Sequence, residues 1–200
     1  MDTDVKKTVL ITGCGGRLGK AFIENFSNHY NIVGISSKEQ AQSNYTHIKS
    51  DLSNFIGIIK TLPKIDCIIN NAAHYNIHDP KTYPGGILEE FYVNVVFPYE
   101  FSCHMYNVWK NMDGYFSILN ISSVASINFY NINQTSYAMC KTSMNRMTVD
   151  LNRSFMPKVR VNAIAPNSFP AYTKTENLLN MMSTIIDNDI INGQIIVMDA

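Results

Sequence analysis

The chain has 200 residues, of which 46% are hydrophobic, 16% charged and 11% aromatic, and sixteen basic residues balance sixteen acidic ones. That composition excludes a disordered chain and suits one folded domain, residues 1–200, with a sizeable core. The charge balance gives no bias toward nucleic acid or an anionic membrane, and no apolar run approaches the ~20 residues of a membrane helix.

The four cysteines, Cys14, Cys67, Cys103 and Cys140, form no C-x-x-C pair and no cluster with metal-ligand spacing. They are expected to be reduced thiols, and no metal is expected. The opening Met-Asp-Thr-Asp-Val-Lys-Lys does not read as a signal peptide, so a cytoplasmic location is expected.

In chain order, the β-branched run Thr8–Thr12 predicts a buried strand closed by glycine. Leu18, Phe22 and Phe26 follow at helical spacing, which predicts an amphipathic helix opening at Arg17. Asn31–Ser36 reads as a second strand, and "THIKSDLS" as a short third one ending near Asp51. "NFIGIIKTL" predicts a helix ended by Pro63, and "DCIINNAA" a fourth strand running into a turn. Ile87–Met112 reads as one long helix that Pro98 should kink or split. A fifth strand lies in Gly114–Ser123, a helix over Tyr137–Phe155, a sixth strand in "VRVNAIAP", a short helix around Asn177–Ile186 and a seventh strand in "GQIIVM". Strand and helix alternate, and several strands are apolar on both faces. This predicts an α/β fold of Rossmann type: a doubly wound parallel sheet of about seven strands in a three-layer sandwich.

The first strand runs into Thr12-Gly13-Cys14-Gly15-Gly16-Arg17-Leu18-Gly19, where the first helix opens. Glycines let a backbone turn tightly and approach a pyrophosphate, and the helix N-terminus then presents free N–H groups and partial positive charge. An acid at the end of the second strand would bind the adenosine ribose hydroxyls and select NAD(H). Ser36-Ser37-Lys38 stands there instead, and Arg17 sits in the loop. Cations and hydroxyls suit a 2′-phosphate, so NADP(H) is expected over NAD(H).

Taken together these residues resemble the short-chain dehydrogenase/reductase family along nearly the whole chain. "TGCGGRLG" is similar to the family's T-G-x-x-x-G-x-G loop, with an arginine, as in pteridine-reductase-like members, at Arg17. Asp51-Leu52 resembles the pair that contacts adenine. "NNAA" (Asn70, Asn71, Ala72, Ala73) resembles N-N-A-G, and Asn94 matches the structural and catalytic asparagine of the long helix. "NISS" supplies the serine, "YAMCK" is the Y-x-x-x-K motif, and "NAIAPN" resembles N-x-x-x-P-G, with Pro166 in place and Asn167 where the glycine falls. The resemblance implies a coenzyme site from Gly13, Gly15, Gly16, Arg17, Leu18, Gly19, Ser36, Ser37, Lys38, Asp51, Leu52, Asn71, Ala72, Ala73, Tyr137, Lys141 and Pro166. It implies catalytic roles for Asn94, Ser123, Tyr137 and Lys141.

Tyr137 and Lys141 are four apart, which puts them on one face of a helix. A free phenol, with a pKa near ~10, is a poor base at neutral pH, and a neighbouring ammonium is expected to lower it. The phenol could then exchange a proton with a substrate oxygen while hydride moves to or from the nicotinamide. By the resemblance, Lys141 also holds the nicotinamide ribose, with Asn94 supporting it through water. Ser123 lies fourteen positions before Tyr137, one more than the family leads us to expect, so Ser122 stays open as the substrate-orienting serine. His74, Tyr75, His78, Phe129 and Tyr130 sit on loops expected to border the pocket.

The segment from about 167 to 192 is short beside the family's substrate lid, which implies an open pocket. The expected function is thus an NADP(H)-dependent oxidoreductase acting on a small carbonyl or alcohol. The alternative is a non-catalytic NADP-binding or oligomeric scaffold on the same fold. A homodimer or homotetramer is expected from the way related proteins pack their long helices.

Overall fold

The computed structural model describes residues 6–40, 44–53, 55–83, 85–128, 132–168 and 170–198. Seven strands form one sheet in the order β3-β2-β1-β4-β5-β6-β7. They are β1 (Thr8–Thr12), β2 (Asn31–Ser36), β3 (Thr46–Lys49), β4 (Cys67–Asn70), β5 (Phe116–Ile121), β6 (Val159–Pro166) and β7 (Ile195–Met198). Every pairing is parallel. The chain winds outward from β1 to β3, returns across the sheet to β4, and winds outward again to β7. The β1–β4 boundary is therefore the switch point, where connections leave in opposite directions and a crevice opens at the strands' carboxyl ends.

Strand side chains alternate between the faces. Leu10, Ile68 and Ile118 point to one layer of helices, while Val9, Ile11, Ile69 and Leu119 point to the other. The first layer holds α2 (Phe55–Thr61), α4 (Phe97–Trp109) and α5 (Thr135–Phe155); the second holds α1 (Arg17–Phe26) and α6 (Thr175–Asp187). All residues of β4, β5 and β6 are buried, as strands covered on both faces must be. Trp109 anchors the first layer: it is fully buried, and its indole N–H donates to the Ile65 carbonyl at 2.8 Å.

The long helix expected over Ile87–Met112 divides as Pro98 requires, but two to six residues before it. A short helix α3 (Ile87–Phe91) passes into a π-helical turn, Tyr92–Val96, before α4 begins. Pro98 has no N–H to return to Asn94, and its ring crowds that turn. The Phe97 N–H reaches back five residues to the Tyr92 carbonyl instead. Such bulges gather at functional sites, and this one carries Asn94.

Candidate active site

β1 ends at Thr12 and the chain turns under the switch point. Gly13 has φ +68°, and a Cβ there would lie 2.8 Å from the Ala72 Cα, so only glycine fits. Thr12 and Asn71 fasten this turn to the end of β4. The Thr12 hydroxyl accepts from the Asn71 and Ala72 amides (3.1 and 3.0 Å), and the Asn71 side chain donates to the Thr12 and Gly13 carbonyls (2.8 and 3.2 Å). Gly16 starts α1 with no side-chain cap, and the first turn holds no acid. The helix N–H groups and the positive end of its dipole are thus left for an anion. That arrangement fits a pyrophosphate.

A cleft of about 1010 Å³ runs from this loop to α5. Of the residues expected at the coenzyme, all but Gly19 line it. Gly19 acts from behind: a Cβ there would sit 2.5 Å from the Gly13 carbonyl oxygen, so it lets α1 press against the loop. Leu52 has φ +72°, the one left-handed non-glycine backbone among the described residues. That strain, of order 1 kcal/mol or more, falls where an adenine contact is expected. Asp51 is exposed beside it, and the Ser53 hydroxyl and amide hold its carboxyl below the usual range.

At the other end the sheet and α5 are locked by a buried polar chain. The Asn70 amide donates to Asn120 Oδ1 (2.8 Å), Asn120 donates to Thr148 Oγ1 (2.9 Å), and Thr148 donates to the Met144 carbonyl (2.8 Å). These bonds fix the rotation of α5 against β4 and β5, and with it the face that carries Tyr137 and Lys141. Lys141 is buried and donates to the Ile121 carbonyl at 2.8 Å; its ammonium lies 5.5 Å from the Tyr137 ring centre.

The two serines differ. Ser122 is buried, donating to Asn145 Oδ1 at 2.6 Å. Both line the cleft, but it is Ser123 that caps the short turn after β5 and shares a hydrogen bond with the Tyr137 hydroxyl. Asn94 stands behind the cleft: its amide donates to the His74 and Glu90 carbonyls (2.7 and 2.8 Å), and its Oδ1 is buried without a hydrogen-bond partner. His74 and Tyr75 line the cleft, whereas His78 does not. Tyr75 meets the Tyr137 ring edge-on at 4.8 Å and bonds to Gln134. Phe129 and Tyr130 lie outside the described residues. Gln40, Gln134 and Ser168 also line the cleft, although no motif marked them. Gln134 ends the short turn that leads into α5, and nothing in its spacing would have found it.

Asn167 replaces a glycine without strain. Its amide is held by Thr173 Oγ1 (3.1 Å) and the Met198 carbonyl (3.0 Å), and its φ is not positive.

The model of the short chain dehydrogenase family matches residues 49–183. The chain belongs to the short-chain dehydrogenase family. It is 30% identical over 182 residues to the 3-oxoacyl-(acyl-carrier-protein) reductase FabG of Buchnera aphidicola subsp. Baizongia pistaciae, covering 80% of this chain and 73% of that protein. In fold it is similar to a 4-hydroxyisoleucine dehydrogenase complexed with NADH (TM-score 0.88, 18% identity, 97% of each chain). It is also similar to a short chain dehydrogenase from Leptospira borgpetersenii with bound NAD+ (TM-score 0.86, 20% identity, 97% of this chain and 91% of that one). Short-chain dehydrogenases are oxidoreductases that bind NAD(H) or NADP(H) and act on small molecules. Among the described residues no helix is long and apolar enough to cross a membrane.

Burial in this short-chain dehydrogenase's site corrects one expectation. The Tyr137 phenol is not lowered by Lys141 but pushed up to about 12, because burial outweighs the Ser123 hydrogen bond, and Tyr75, Glu90 and Cys140 add to the rise. Burial also brings Lys141 down to about 8. A dry site disfavours both charged forms at once. At neutral pH the chain alone therefore holds a protonated phenol, a donor rather than a base.

Proposed function

We propose that the chain is an NADP(H)-dependent oxidoreductase that transfers hydride between the nicotinamide and a carbonyl or alcohol carbon, with Tyr137 giving or taking the proton on the substrate oxygen. The observation that carries this reading is the Ser123–Tyr137 hydrogen bond, set beside buried Lys141 in the same cleft that holds the uncapped start of α1. The coenzyme, when bound, supplies the hydride. Ser123 orients the substrate oxygen, and Tyr137 supplies its proton. Lys141, charged below about 8, holds the ribose and stabilises the phenolate left behind. Asn94 fixes the His74 carbonyl and so the loop beside the nicotinamide.

The NADP(H) preference is supported by Arg17, Ser37 and Lys38 at the β1–β2 end of the cleft, where no acid closes β2. The loop after β6 is stitched straight back to β7, with Thr173 Oγ1 donating to the Met198 carbonyl at 2.8 Å. This supports a short lid over about 167–192, and room for a large or extended carbonyl substrate. We also expect a homodimer or homotetramer, with sedimentation velocity as the check: a monomer at working concentration removes it.

The test follows NADPH absorbance against simple ketones, sugars, pterins and, because the Buchnera relative is a 3-oxoacyl reductase, 3-oxoacyl thioesters. Consumption of NADPH with one class is expected, and NADPH should raise the melting temperature more than NADH does. Equal shifts would remove the coenzyme preference. Tight NADPH binding with no turnover on any class would favour a binding protein instead.

A further inference from the structure

Behind the turn that presents Ser37 and Lys38 lies a closed network that no motif marked. The Ser36 hydroxyl donates to the Lys38 carbonyl at 2.8 Å, which Gln40 also reaches at 3.3 Å. The same hydroxyl lies 2.9 Å from His47 Nε2 on β3 and bonds to the Cys14 thiol, which in turn bonds to Tyr45. The Tyr45 and His47 rings meet edge-on at 6.3 Å. Space for this packing comes from Gly34, where a Cβ would lie 2.8 Å from both the Cys14 Cβ and the Tyr45 ring.

A hydroxyl has one proton and two lone pairs. Ser36 gives its proton to Lys38, so His47 Nε2 must carry a hydrogen and donate. The remaining lone pair is left for the thiol. Ser36 thus has no capacity to spare for a ligand, although it lines the cleft. It ties the turn down, and His47 is the donor that completes the tie. Either the neutral Nε2–H tautomer or the imidazolium can make this bond, so a proton arriving at Nδ1 adds charge without breaking it. The charged and titratable groups around His47 are Lys38 and Glu39 from the turn, Cys14 from the glycine loop, Tyr45 just before its strand and Lys49 at the end of it. Glu39 is paired with Lys49 at 3.4 Å. No carboxylate contacts His47 among the described residues.

We propose that His47 is a positioning residue for coenzyme choice: through Ser36 it fixes the turn that carries Ser37 and Lys38, and its protonated imidazole biases that end of the cleft toward a coenzyme with a 2′-phosphate. An imidazole that gains or loses its proton carries that bias with it, so the choice is tested against pH. The proposal rests on the NADP(H) reading above.

The test is calorimetric titration of NADP+ and NAD+ into the wild type and His47→Gln from pH 5.5 to 8.5. Glutamine keeps an N–H donor and loses the charge. In the wild type the ratio of the NAD+ to the NADP+ dissociation constant should rise on the order of fivefold as pH falls from 8 to 5.5. In His47→Gln it should stay flat or fall, because the 2′-phosphate itself takes up a proton near ~6. Parallel slopes in the two proteins overturn the role of His47. His47→Asn gives a second comparison should the glutamine variant not fold, and a wild-type ratio that does not rise toward acid pH overturns the proposal without any variant. A wild-type ratio favouring NAD+ at pH 7.5 overturns the coenzyme reading itself, and it is read separately from the slopes.

Discussion

At its β1–β2 end the cleft is made of backbone: glycines at hard contact, amides at the start of α1, carbonyls tied by Thr12 and Asn71. At its β5 end it is made of side chains whose protons are displaced from their ordinary ranges by burial. The first end recognises shape and negative charge and needs no chemistry. The second end holds a half-buried acid against a buried ammonium, and burying that ammonium costs stability. Substitutions at the two ends should therefore fail in different ways.

The largest effect is expected at the side-chain end. Tyr137→Phe removes the proposed proton donor and keeps the ring that packs on Tyr75. Turnover should fall by about 10²–10⁴-fold, while NADPH affinity changes less than about threefold. Stopped-flow rates and a binding titration on the same preparation decide it. Undiminished turnover would assign the proton elsewhere.

The converse is expected at the backbone end. In Gly19→Ala the new methyl meets the Gly13 oxygen at 2.5 Å and the Cys14 Cα at 2.7 Å, both backbone atoms. Overpacking of this kind costs about 1–3 kcal/mol. The loop it displaces is the one facing the phosphates, so NADPH affinity should drop tenfold or more, while the phenol's titration is unchanged. Normal affinity and melting would mean that α1 can retreat without cost.

The sequence disclosed these two ends unequally. The glycine loop was readable because its requirements are local: a β-branched strand, close glycines, a helix opening at Arg17. The ends of β1, β2 and β6 fall where those runs stop. The tyrosine–lysine pair was readable as a spacing, but its electrostatics were not. Tyr137 is raised by Tyr75, Glu90 and Cys140 as well as by burial, and Tyr75 arrives from a loop sixty-two residues earlier in the chain. Nor could spacing reveal that Asn70, Asn120 and Thr148 form one buried chain, since they come from β4, β5 and α5. Spacing was equally silent on Asn145, which takes up the Ser122 hydroxyl from α5.

A third test sharpens the claim that the side-chain end loses stability. The buried Lys141 is lowered to about 8, against roughly 10.4 in an unfolded chain. Below pH 8 both states are protonated, and the native state bears the full cost of an ammonium held from water. Between about 8 and 10.4 the unfolded state binds more protons, so this contribution to stability rises with pH. Cys67 and Cys140, raised to about 11 and 12, act the other way. Their unfolded thiols ionise first, and stability falls as pH climbs past about 8.5. Comparing Lys141→Met with the wild type cancels Cys67; Cys140, whose thiol the Lys141 ammonium helps to lower, cancels only below about pH 8, where both thiols keep their protons. The variant should be inactive yet more stable below pH 8 by about 1–2 kcal/mol, after allowing for the Ile121 carbonyl losing its donor. The gap should close toward pH 10.5 in urea titrations. A variant less stable at every pH would show that the bond to Ile121 outweighs the desolvation of the ammonium.

The smallest expected effect concerns Glu90, a carboxylate only 1% exposed with Oε2 buried and unpartnered. It lies on α3, packed against α5, and its charge is one of the influences holding the Tyr137 phenol up. Its Oε1 accepts from the Asn76 amide at 3.4 Å, a contact that glutamine can keep. Glu90→Gln should therefore leave the fold in place and make the phenolate easier to form. Alcohol oxidation, which needs the phenolate, should quicken by roughly two- to fivefold at any pH below the phenol's own range, the scale of one charge acting through a partly dry interior. Carbonyl reduction at pH 7, which needs the phenol, should hardly change. If both directions respond alike, Glu90 acts through the packing of α3 on α5, and the asymmetry between the two ends of the cleft rests on burial alone.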